Sequence, residues 1–284
     1  MPTNEQRRAN AKRKLERQMV YRQERAKKRR IIAVISTVVV VALVGAGVWF
    51  LSTHDFGNGD AEASETPQQE SVDKAENIPT ALHAVPKRPT PLPEKVSCEY
   101  TKGTEPAAKE NTIPANGEQP ATGTVGVTLG TSIGDLKFNL DRSMAPCTVN
   151  NFVTLAKQKY FDNTTCHRLV VTGIQVLQCG DPAGTGTGGP GYTFKDEVYP
   201  EMTYGRGVLA MANAGPDTNG SQFFIVYGDG SNLQAKYTIF GTVDEESLKK
   251  IDEVAKTGTV SQTPGQGDGK PKTPVDIKSA TVAN

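Results

Sequence analysis

The chain has 284 residues, 36% of them hydrophobic, with a mean hydropathy of −0.44; that is enough for one or two cored domains with a good part of the chain left unpacked. Its net charge of +1 names no partner by itself, and its three histidines (His54, His83, His167) weigh against a His-rich metal site or a hydrolase triad.

The charge is unevenly placed. Residues 1–30 hold twelve Lys or Arg against three Glu. Residues 31–51 follow as 21 residues without a charge, roughly 30 Å of helix at about 1.5 Å per residue, the thickness of a bilayer's hydrocarbon core. A transmembrane helix is predicted there, with Trp49 and Phe50 at its far interface. The basic flank before it and the acidic flank after it (Asp55, Asp60, Glu62, Glu65) put the N-terminus in the cytoplasm and the rest outside. A cleaved signal peptide is the rival, with Ala61-Glu62-Ala63 as the cleavage site, but the apolar run is long for an h-region. The stretch 12–30 reads as a topology signal able to lie on anionic lipid, and no stacking or base-reading pattern supports nucleic acid. Residues 52–122 hold nine of the eighteen prolines and read as a disordered, extended linker, with the VSCEY patch around Cys98 as a docking exception.

The folded part is placed at 123–284. The run 125–140 alternates apolar and polar residues around a glycine turn, as two paired strands do. Segment 148–161 puts Val149, Phe152, Leu155 and Ala156 on one helical face. Strands are predicted at 166–171, 174–179, 207–212, 222–227, 237–243 and 275–282, and a second helix at 245–256. Many short strands with two helices predict an antiparallel barrel or sandwich.

Three blocks carry the chemistry: CHRLVVTGIQVLQCGDPAGTGTGGPGYTFKDE (166–197), GVLAMANAGPDTNGSQFFIVYG (207–228) and LQAKYTIFGTV (233–243). In this order and spacing they resemble the core signature of cyclophilins. The resemblance covers 123–284 and implies a mainly β fold: a closed eight-stranded antiparallel β-barrel capped by two α-helices. It implies peptidyl-prolyl cis-trans isomerisation of proline-containing polypeptides, without metal or cofactor; nothing in the sequence suggests more than a monomer. Arg168 matches the catalytic arginine. Gln178 and Asn213 match residues that bond substrate backbone, Ala212 and Gln222 positions lining the groove, and Phe224 and Leu233 walls of the proline pocket.

The chain departs from the family pattern in places. The stretch from Arg168 to Gln178 is two residues long for the family. Gln175 and Val176, or Ile174, stand where Phe and Met are usual, Asn232 where Trp is, and Tyr237 where His is. The altered pocket keeps alive an alternative, a proline-peptide binding module with little catalysis, and makes tight cyclosporin binding unexpected.

Other chemistries fit poorly. Cys166 and His167 are strand neighbours and point apart, so they make no dyad. The loop 184–191 lacks a phosphate loop's ending. Asp181 and Glu197 lack an EF-hand pattern. The four cysteines lie outside the membrane on this topology, where two disulfides are allowed. Because the matched Arg168 and Gln178 share a groove, strand parity disfavours Cys166–Cys179 and leaves Cys147–Cys166 with Cys98–Cys179 as the expectation.

Overall fold

Alternation along the chain builds a sheet with a helix against each of two regions. In a computed structural model, which describes residues 71–85, 87–261 and 265–283, the elements in chain order are β1 (Ser71–Asp73), β2 (Lys95–Cys98), β3 (Tyr100–Lys102), β4 (Gly117–Pro120), β5 (Thr124–Thr131), β6 (Gly134–Asp141), α1 (Pro146–Lys157), β7 (Thr164–Thr165), β8 (Arg168–Val170), β9 (Val176–Cys179), β10 (Tyr192–Phe194), β11 (Val208–Met211), β12 (Phe223–Val226), β13 (Ile239–Val243), α2 (Glu245–Thr257), β14 (Thr259–Ser261), β15 (Asp268–Pro271) and β16 (Asp276–Val282). The basic segment, the apolar run 31–51 and the linker as far as residue 70 lie outside the described residues. Among the described residues, no helix is long and apolar enough to cross a membrane.

Eight antiparallel strands form the centre of the ladder, in the order β8-β9-β12-β11-β13-β6-β5-β16. The expected closed eight-stranded barrel is corrected here: the hydrogen-bonded order is an open, twelve-stranded one. The outer edge of β8 is taken by β15, followed by β14 and β1, and the outer edge of β16 is taken by β7. With both edges occupied, β8 and β16 do not pair with each other.

The central strands read as near-continuous apolar runs because both their faces are covered. In β12, Phe223 and Ile225 enter one cluster with Leu177, Leu209, Phe138 and Phe152, while Phe224 and Val226 enter a second with Val170, Val176 and Ala210. Each fully buried side chain of this kind contributes about 1.5–3 kcal/mol. The first cluster is the main core. Its Phe152, on α1, stacks on Phe161 at 4.8 Å and meets Phe223 edge-on at 5.2 Å. The second cluster underlies the site.

Helix α1 starts at Pro146, where a missing N–H costs nothing, but Ala145 before it supplies no side-chain cap. Glu197 caps it from a distant loop, accepting from the amides of Cys147 (3.1 Å) and Thr148 (2.8 Å) and from the Thr148 hydroxyl (2.7 Å). Helix α2 is capped locally by Asp244, which accepts from the Ser247 amide, and carries Glu245 and Glu246 in its first turn and Lys256 in its last, matching the helix dipole.

Two further expectations change. The linker reading fails from residue 71 onward: Gln68–Asn284 is one compact unit, and β1 to β4 pair within it. Tyr100 and Cys98 are buried in the main core. The disulfides are Cys98–Cys147 and Cys166–Cys179, not the expected pairs. The parity argument needed an unbroken strand from 166 to 170, but the ladder is interrupted at Cys166 and His167, between β7 and β8. That interruption shifts the alternation by one residue, so Cys166 joins the core side with Leu169, Leu177 and Cys179 while Arg168 faces the groove.

Candidate active site

The register lines up the site. Arg168 lies opposite Gln178, Gln178 opposite Phe224, and Phe224 opposite Ala210, so one cross-strand row runs over β8, β9, β12 and β11. The period of two then gives the same face to Val170, Val176 and Ala212.

Arg168 is fixed by a fork. Its Nε donates to Asp268 Oδ1 at 2.8 Å, one terminal nitrogen donates to Asp268 Oδ2 at 2.6 Å, and the other donates to Gln178 Oε1 at 3.0 Å. The hydrogen bond and charge of Asp268 hold the guanidinium even more firmly protonated, against the opposing effect of burial. Three of its five donors are thereby used, and two N–H bonds remain for a ligand. The pair is half-buried, with side-chain exposures of 42% and 37%, so solvent reaches it and the groove lies open above it.

The network continues away from Arg168. Gln178 Nε2 donates to Gln222 Oε1 at 2.9 Å, and Gln222 Nε2 donates to the carbonyls of Gly186 (3.0 Å) and Gly188 (2.9 Å). The glycine-rich loop is gathered around Asp181, which is fully buried. Burial by itself would raise the Asp181 carboxyl, but the amides of Gly188, Ala183, Gly186 and Thr185 outweigh it and hold its pKa below the usual carboxylate range. Gly188 must be glycine here, because a Cβ would stand 2.0 Å from Asp181 Oδ1. Asp181 and Glu197 are thus a loop anchor and a helix cap.

Phe224 is the apolar floor of the second cluster, 6% exposed, with Tyr237 edge-on at 5.5 Å. Leu233, Ala212 and Tyr237 pack at the rim of the same cluster. Val176 is buried within it and Ile174 packs against it. Gln175 faces elsewhere: it donates to the Glu76 carbonyl at 2.9 Å and accepts from the Asp229 amide at 2.8 Å. Asn232 is held by its donation to the Gly173 carbonyl. Asn213 uses its side chain to bond the Lys236 carbonyl at 2.9 Å, and it lines the cavity next to Ala212 and Gln222.

Asp268 was not among the expected site residues. It sits 100 residues beyond Arg168 in sequence, and its only signal was an acidic residue in a glycine-rich stretch. His167, buried beside Arg168, makes no hydrogen bond through either ring nitrogen among the described residues. Burial lowers its pKa, with Arg168 pulling the same way and Asp181 opposing.

Comparison with known proteins gives this geometry its family. The profile described as "Cyclophilin type peptidyl-prolyl cis-trans isomerase/CLD" matches residues 126–282. A Mycobacterium leprae protein named probable peptidyl-prolyl cis-trans isomerase B is 41% identical over 98% of this chain and 99% of its own length. Its Mycobacterium tuberculosis counterpart, of the same name, is 41% identical over 99% of this chain and 94% of its own. A solved Cryptosporidium parvum cyclophilin type isomerase is 36% identical and covers 57% of this chain and 99% of its own, with a TM-score of 0.49. With a groove built on a forked arginine, and with relatives alike over nearly its whole length, this chain belongs to the cyclophilin-type peptidyl-prolyl cis-trans isomerases.

Proposed function

We infer that Arg168 is the catalytic residue and that it acts on X–Pro bonds of proteins outside the cytoplasm. The observation that carries the catalytic part is the fork: Asp268 and Gln178 take three of the guanidinium's five N–H donors and leave two, on a cross-strand row that includes Phe224. Amide resonance sets a barrier of about 18–20 kcal/mol to rotation. As the bond twists, the prolyl nitrogen loses resonance and gains a lone pair, and a guanidinium N–H directed at it stabilises the twisted state more than the planar one. A donor already held in place pays little reorganisation at that moment. Phe224, Val176, Leu233 and Tyr237 hold the proline ring, and Gln178, Gln222, Ala212 and Asn213 line the path of the flanking peptide.

The test is cis-trans exchange of an Ala-Pro peptide by NMR with the full chain and its Arg168→Ala variant. Exchange by the wild type that drops at least tenfold in the variant, about 1.4 kcal/mol, supports the assignment. Equal rates would remove Arg168 from the mechanism.

The apolar run 31–51 between a basic and an acidic flank supports a single-pass anchor with the isomerase domain outside, acting on secreted or envelope proteins. Segment 12–30 would then lie on the anionic inner leaflet. Protease added to intact spheroplasts is expected to degrade the isomerase domain and spare the N-terminal segment. A protected isomerase domain would reverse the topology.

A further inference from the structure

The domain matched by the family ends short of part of the groove. A cavity of about 770 Å³ lies next to the catalytic network, against Gln178, Ala212, Asn213 and Gln222. One of its walls is residues 103–106, which precede the matched region at 126–282. This wall is fastened at both ends. The Gly103 amide donates to the Gly191 carbonyl and the Ala108 amide to the Gly189 carbonyl, both at 2.9 Å. Just before it, β3 pairs with β10, and just after it Asn111 Nδ2 donates to the Pro190 carbonyl at 3.0 Å. The Cys98–Cys147 disulfide ties the preceding strand to α1. The loop it leans on is the one whose Gly186 and Gly188 carbonyls receive Gln222, so the wall and the Arg168 network share one support.

The chemistry of the cavity is one-sided. Its lining is glycine, threonine, serine, two prolines, two alanines, Tyr192 and the residues Gln178, Asn213 and Gln222, and Glu105 is the one charged residue among them. Glu105 is exposed and forms no ion pair among the described residues. An X–Pro segment crossing the catalytic row toward Gln222 brings a neighbouring side chain into this cavity. A lone carboxylate there favours a cationic side chain and disfavours an acidic one.

We propose that residues 103–106 are a specificity wall of the active site, through which Glu105 selects X–Pro segments carrying a lysine or arginine near the proline. This rests on the isomerase reading of the groove and adds to it a substrate class.

The test uses the full chain and a panel of X–Pro peptides in which each position within two residues of the proline carries Lys, Ala or Glu in turn. The readout is the Lys-to-Glu ratio of kcat/KM at each position, from exchange NMR, which is independent of any overall change in rate. For the wild type, one position is expected to favour Lys about fivefold, the scale of an exposed ion pair. That ratio is expected to approach one in Glu105→Gln and to fall below one in Glu105→Lys. A ratio near one at every position in the wild type, or a preference that survives both substitutions with turnover intact, overturns the wall and leaves the isomerase reading standing. Absence of acceleration for every peptide with the wild type would overturn the isomerase reading and the wall with it.

Discussion

At the scale of single residues, the proposed mechanism depends on the direction of one guanidinium. Lys is a point charge without the fork, so Arg168→Lys keeps the charge but cannot engage both Asp268 oxygens and Gln178 together. A loss of kcat/KM of at least about tenfold is expected in the exchange assay; a variant as active as wild type would mean that charge alone suffices. Asp268→Ala leaves Arg168 in place with its Nε side unheld. Its kcat is expected to fall with little change in KM or thermal midpoint, and Asp268→Asn, which keeps one acceptor oxygen, is expected to recover part of the loss. His167 sets a pH dependence of stability. Its folded pKa is lowered, chiefly by burial, so as pH falls below about 6.5 the unfolded chain takes the proton first and the folded state loses ground until the lower folded pKa is passed. The slope from one group is at most about 1.4 kcal/mol per pH unit. Thermal melts between pH 7.5 and pH 5 should show this slope in the wild type and a shallower one in His167→Gln; identical slopes would mean that His167 is accommodated when charged. Arg168, Gln178, Gln222, Phe224 and Val176 could be named from the sequence because they lie in the contiguous motifs that carry the family resemblance, and the structure brings Arg168, Gln178 and Phe224 into one cross-strand row. Asp268 was not, because its role depends on β15 pairing with β8, a contact between segments with no shared motif.

At the scale of elements, legibility followed hydrophobic patterning. β5, β6, β9, β11, β12, β13, β16 and both helices fell within or close to the predicted segments because one or both of their faces are buried, which imprints period two or 3.6 on the residues. β1, β2, β3, β4, β7, β14 and β15 are two to four residues long and largely polar, and they are strands only because a neighbour's edge is available. The same reason accounts for the misread cysteines: the interruption at Cys166 and His167 is set by tertiary pairing and leaves no mark in composition. The Cys98–Cys147 bridge closes a separation of 49 residues and joins β2 to α1. Cys98→Ser paired with Cys147→Ser is therefore expected to cost about 2–4 kcal/mol, read as a fall in denaturation midpoint against the wild type under oxidising conditions. An unchanged midpoint would mean that the packing of Tyr100 alone holds this region.

At the scale of the whole molecule, the segment that composition marked as a spacer belongs to the enzyme. Its prolines and polar residues gave no core pattern, yet it reaches the active site from two sides. At one end, Asp73 accepts from the amides of Gly265 (3.2 Å) and Gly267 (2.9 Å), so it holds the turn that delivers Asp268 to Arg168. Gln175 is tied to Glu76 on the same side. At the other end, β3 pairs with β10 beside the glycine-rich loop, and Tyr100 donates from its hydroxyl to the Cys147 carbonyl at 2.8 Å while its ring meets Tyr192 and Phe194 edge-on. Two truncations separate the spacer and structural readings. A chain beginning at Gln68 keeps all of these contacts and is expected to match the full chain in thermal midpoint and in kcat/KM. A chain beginning at Gly123 loses the disulfide, the buried Tyr100 and the Asp73 clamp. The first two together are worth about 3.5–7 kcal/mol, and loss of the clamp leaves Asp268 free to drift from the guanidinium. It is expected to melt earlier and, under conditions where it is still folded, to isomerise an Ala-Pro peptide more slowly. If it instead matched the longer fragment in both measurements, the spacer reading would hold for residues 71–122 despite their packing. If it lost stability but kept its rate, the extension would be a brace for the fold that leaves Arg168 unaffected.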